Sequence, residues 1–153
     1  MEEDEYRSTY HEINERRCIF EKSINSRRST CEHGRRFNLA DREGVACSSE
    51  AGNARCQVFL DLMRKNASFA LQQLSIDGPL PHAKEVKVQT GGLLGLQAQL
   101  SPEKEGAGRI ENIAAILREA MDRYGDFEHL PYTELVKTIV RFEGRNKRRR
   151  GRR

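Results

Sequence analysis

Apolar residues in the middle of the chain recur at steps of three and four. Cys56, Phe59, Leu60, Met63, Ala67, Ala70, Leu71 and Leu74 share one face of a 3.6-residue repeat, the pattern of an amphipathic helix packed on a core. Ser48 or Ser49 is placed to cap its start, and Glu50 stands in the first turn, where the helix dipole favours an acid. DGPLP at 77–81 ends the pattern by turn chemistry. Arg64 and Gln73 fall on the side of this helix expected to face solvent.

The next segment, PHAKEVKVQTGGLLGLQAQL, carries two patterns. Val86 and Val88 alternate with polar residues as in a strand. Ala83, Val86, Thr90, Leu93, Leu94 and Gln97 follow helical spacing, and Pro81 suits a first helical position. The helical reading is taken. Gly91, Gly92 and Gly95 each cost about 1 kcal/mol relative to alanine inside a helix. That cost implies either a second backbone packed closely on this face or a break.

Two further helices are predicted. One runs from about Arg109 to Tyr124 and stops at Gly125. The other carries Tyr132, Leu135, Val136, Ile139, Val140 and Phe142 and stops at Gly144. Upstream, residues 1–30 read as a polar leader with a short helix around Glu12–Ile24. Residues 31–47 read as loop with a helical turn, interrupted by Gly44. The expected fold is all-α: about four helices in one domain over residues 31–144, with a cysteine-bearing N-terminal lobe and a disordered basic tail over 145–153.

Composition narrows the function. The chain has 153 residues, 37% hydrophobic against 33% charged, with no Trp, so its core is small and an added staple such as a metal would help it. The N-terminal MEEDEYRSTYHEINERR has no apolar core of a secretory signal, and no run approaches the roughly 20 apolar residues of a membrane span. The expected location is cytoplasmic, or nuclear in a eukaryote. Thiols there are kept reduced, so grouped cysteines point to metal or redox chemistry rather than structural disulfides.

All four cysteines, Cys18, Cys31, Cys47 and Cys56, fall within 39 residues, and none occurs in the 97 that follow. They lack the close pairs of a zinc knuckle, although Cys31 and His33 could both donate. An iron–sulfur cluster needs four thiolates that meet in the fold rather than in sequence. The candidate ligands are therefore Cys18, Cys31, Cys47 and Cys56, with His33 as a replacement, for an iron–sulfur cluster or for zinc. The competing reading is that the thiols simply pack as small hydrophobes, as Cys56 could on its helix face. Arg35, Arg36 and Arg42 flank the cysteines and could stabilise thiolates, or form an ordinary solvated face.

Charge is divided unevenly. Residues 145–153, RNKRRRGRR, hold seven basic side chains; taking those seven from the net +4 leaves the rest of the chain at −3. Arg145, Lys147, Arg148, Arg149, Arg150, Arg152 and Arg153 suit phosphate contacts made by counterion release, an acidic protein surface, or plain solubility. GAGRIE and GGLLG lack the preceding buried strand and third glycine of a dinucleotide fingerprint, and no Walker lysine follows them. With no GxSxG nucleophile motif either, no enzyme is indicated. The expectation is a non-enzymatic, metal-containing protein that binds nucleic acid or another polyanion. The alternatives are an accessory or electron-transfer subunit docking on a redox enzyme, and a metal-free helical interaction protein.

Overall fold

The computed structural model describes residues 2–71 and 80–143. Within them lie six helices and one hairpin, so the all-α, four-helix expectation is corrected. The helices are α1 (Glu3–Ile13), α2 (Glu21–Asn25), α3 (Glu50–Ala67), α4 (His82–Leu100), α5 (Ile113–Tyr124) and α6 (Tyr132–Arg141). The antiparallel strands β1 (Gly34–Leu39) and β2 (Arg42–Cys47) form a two-stranded sheet between α2 and α3.

The hairpin was missed for a physical reason. Its turn, Ala40-Asp41, lacks the Asn-Gly or Asp-Gly signal of tight hairpins, and Ala40 itself takes the left-handed conformation at φ 55°. Gly44, expected to break the segment, instead pairs with Phe37 across the sheet. A Cβ on Gly44 would lie 2.3 Å from the Phe37 ring. The missing side chain is the space the ring fills. The leader also differs from expectation: α1 ends before the proposed helix would have been half formed, and α2 begins after a bend. Phe20 and Ile24 are buried in the same core as Phe59, Met63 and Leu117.

The helices α4 and α6 follow the sequence pattern, whereas α3 ends at Ala67, short of the expected run through Ala70, which is exposed, to Leu74, which lies outside the described residues. Helix α5 begins at Ile113 rather than Arg109, because Ile110 is held by backbone bonds to Arg28 and Thr30. Ser49 caps α3, its hydroxyl accepting a hydrogen bond from the Gly52 amide at 2.9 Å. Residues 82–100 are helix, and α4 is buried on nearly all sides, including Glu85, Gln89 and Gln97. Its glycines permit close packing. A Cβ on Gly91 would sit 2.7 Å from the Ile139 Cα, and one on Gly95 would sit 3.2 Å from the Leu135 Cα, both on α6. The helix does not break; its neighbour comes close. Gly125 ends α5 at φ 87°. Gly144 and the basic residues 145–153, like Gln73, lie outside the described residues. Among those described, no helix is long and apolar enough to cross a membrane.

Arg64 overturns its assignment to an exposed face. It is 8% exposed and grips Glu85 of α4, with Nε at 3.0 and 3.3 Å from the two carboxylate oxygens and Nη2 on Oε1 as well. Glu85 also accepts from the Leu80 amide at 3.3 Å and the Gln89 amide nitrogen at 3.4 Å. Removing one partner of such a pair strands a buried charge. Arg64→Ala is therefore expected to cost about 3–5 kcal/mol in denaturant unfolding. A loss below about 0.5 kcal/mol, as at a surface site, would contradict this packing.

Candidate functional site

Four separate chain segments bring the cysteines to one cavity. Cys18 lies in the bend between α1 and α2, where backbone pairing to β2 fixes it: the Cys18 amide donates to the Val45 carbonyl at 2.9 Å, and the Cys47 amide donates to the Arg16 carbonyl at 2.8 Å. Cys47, at the end of β2, is thereby set beside Cys18. The segment before Cys31 pairs with the strand-like approach to α5, through Thr30 to Ile110 and Ile113 back to Thr30, each at 3.0 Å. Cys56 stands in the second turn of α3.

The cavity wall contains all four thiols, together with His33, Gly52, Asn53 and Arg55, and is closed on the helical side by Phe20, Ile113, Ala114 and Leu117. Each cysteine is half-buried and free of disulfide bonding. The Cys47 thiol donates to the Ser49 carbonyl at 3.3 Å. His33 is held over the start of α3, and its carbonyl accepts from the Ser48 amide at 2.9 Å. Among the described residues no three His, Cys, Asp or Glu side chains are drawn together as donors to a single metal ion. The thiols line the cavity without collapsing onto one point.

A second network holds this arrangement in place. The buried Glu21 carboxylate accepts from the Val45 amide at 2.7 Å, from Arg17 Nε at 2.8 Å and from the Tyr10 hydroxyl. Asn14 bridges Tyr10 and the Val45 carbonyl at 2.8 and 3.1 Å. Burial, reinforced by Glu21, holds the Tyr10 phenol well above its usual range, so it remains a donor. One carboxylate thus ties α1, α2 and β2 together beside Cys18.

Of the two roles expected for Arg35, Arg36 and Arg42, their exposure fits the solvated face rather than contact with thiolates. Arg36 and Arg42 are engaged by Glu43 and Glu3, and Arg35 donates to the carbonyls of Glu32 and Gly34. The guanidinium in the cavity wall belongs to Arg55, which sequence reasoning passed over. Neighbouring positions on a helix do not share a face, so its place beside Cys56 gave no signal. The proposed phosphate-binding residues Arg145, Lys147, Arg148, Arg149, Arg150, Arg152 and Arg153 lie outside the described residues. No protein-family model, curated protein or solved structure matches this chain.

Burial sets the chemistry of the thiols. It pushes Cys18 up to about 12, against a Phe20 backbone hydrogen bond and with the help of the neighbouring thiols. Cys56 moves the same way by burial and by Cys18, Cys31 and Cys47, opposed by Arg55. At neutral pH these two are protonated and poorly nucleophilic, and a metal binding there must displace their protons. The unfolded chain sheds the Cys18 proton near 9.0, whereas the fold keeps it to about 12. Stability from this thiol is therefore complete below about pH 9 and lost as pH rises toward 12. Thermal melts of metal-free, reduced protein from about pH 7 to about pH 10.5 should show Tm falling more steeply for wild type than for Cys18→Ser. Parallel curves would contradict the burial of this thiol.

Proposed function

We propose that the protein is a small, non-enzymatic iron–sulfur protein that binds nucleic acid or another polyanion through its basic C-terminal residues. The observation that carries the metal reading is the meeting of Cys18, Cys31, Cys47 and Cys56, from four segments, around one cavity. Four thiolates are the usual ligand set of an iron–sulfur cluster, and these four cysteines line one cavity.

Zinc is the second reading. The cavity's free volume of about 20 Å³ and the presence of His33 in its wall favour it. A single ion is smaller than a cluster, and imidazole is a ready zinc ligand.

The cysteines would act as a staple. A two-stranded hairpin is marginal by itself, and a shared metal would fasten the leader and the hairpin to α3. Phosphate contacts through residues 145–153 would add affinity without base specificity.

Purification without oxygen tests both parts. Iron with acid-labile sulfide and a visible absorption band is expected, and each single Cys→Ser variant should lose most of the iron. A colourless protein with one zinc per chain would move the assignment to zinc. Neither metal above trace would leave the thiols as packing. With the same preparation, deleting residues 145–153 should abolish most binding to mixed-sequence RNA and DNA. Full-length binding should weaken with salt at a log–log slope of up to about −0.9 per duplex phosphate engaged. Undiminished binding after the deletion would place the contact elsewhere.

A further inference from the structure

We infer that Arg55 is the charge-compensating residue of the thiol site, and that it sets the site's reduction potential by stabilising the electron-rich state. This rests on the reading that the cysteines hold an iron–sulfur cluster.

Arg55 is half-buried and lines the cavity one residue before Cys56 on α3. Several arginines around the lobe meet a carboxylate: Arg17 on Glu21 at 2.7 Å, Arg27 on Glu43 at 2.6 Å, Arg42 on Glu3 at 2.6 Å and Arg118 on Glu32 at 2.7 Å. Arg16 and Arg35 instead donate to backbone carbonyls, and Arg28 lies over the Phe142 ring. Among the described residues Arg55 forms no ion pair. A guanidinium partly withdrawn from water without a counter-charge is unfavourable.

Two buried or cavity-side acids of the lobe are already committed. Glu21 is held by Tyr10, Arg17 and the Val45 amide, and Glu32 by Arg118 and the Asn112 side chain. The anion that would meet Arg55 is the set of ligated thiolates, which share its cavity wall. The first turns of α3, which contribute Gly52 and Asn53 to the same wall, add the positive end of the helix dipole. Asn53 itself is used structurally, donating to the Arg17 carbonyl at 2.9 Å.

The redox consequence follows from charge. When dithionite supplies one electron, four thiolates and their cluster become one unit more negative, with no bond broken and no proton required. A fixed cation in the wall lowers the energy of that state more than of the oxidised one. Removing the cation lowers the potential, while lysine, which keeps the charge, preserves it.

The test is an anaerobic potentiometric titration with dithionite of full-length wild type, Arg55→Gln and Arg55→Lys, with iron and sulfide measured in each. At the wild-type midpoint, Arg55→Gln is expected to show a reduced-to-oxidised ratio about tenfold lower, equivalent to about 59 mV for a one-electron couple. Arg55→Lys should stay near wild type. An Arg55→Gln variant that loses its cluster while Arg55→Lys keeps it would also support the assignment, since charge is what separates them. An unchanged midpoint in a fully loaded Arg55→Gln overturns it, as does cluster loss in both variants, which would make Arg55 a packing residue. A wild type without a cluster fails differently: it removes the iron–sulfur reading and this inference with it.

Discussion

The backbone of residues 16–18 pairs with β2, and the candidate site depends on that pairing. Two hydrogen bonds, Cys18 to Val45 and Cys47 to Arg16, join the bend after α1 to the hairpin as a single antiparallel bridge between Arg17 and Ala46. They fix Cys18 against Cys47 although 28 residues separate them in sequence. The Glu21 carboxylate reinforces the same junction by holding the Val45 amide, Arg17 and Tyr10 at once. Core burial of Phe20 anchors the chain just after Cys18, and the junction sets Cys18 itself against β2.

The helical body supplies the rigid side of the cavity. α4 runs through the core with little exposed surface, and Gly91 and Gly95 let α6 approach it closely. α3 and α5 pack around this pair and present Cys56, Ile113, Ala114 and Leu117 to the lobe. Close-packed helices deform little, so a ligand shared by the four thiols would restrain the lobe rather than the body. On the proposed reading, loss of the metal would act mainly on the segments before Ser49.

The legible parts of the sequence were those where one strong period governed. The α3 face, its Ser49 cap, the Gly125 stop and the helical choice over 82–100 all came from spacing and capping. The glycines of α4 even announced a close neighbour. The hairpin was hidden because Ala40 and Asp41 are unusual turn residues, and because Gly44 serves Phe37 rather than breaking the chain. Arg64 was placed on the wrong face because helical spacing cannot foresee a buried ion pair with Glu85, 21 residues away. At the site, clustering in sequence flagged Cys18, Cys31, Cys47 and Cys56. Sequence proximity alone could not single out the guanidinium beside them, since Arg17 adjoins Cys18 just as Arg55 adjoins Cys56, and Arg17 is held by Glu21.

The central claim is that the four thiols act as one site. Protein purified without oxygen can be alkylated while an iron chelator is added, with each cysteine followed by mass spectrometry. The account predicts that Cys18, Cys31, Cys47 and Cys56 are protected at the outset and become labelled in step as iron leaves. Labelling of Cys18 on its own time course, with iron still bound, would contradict it.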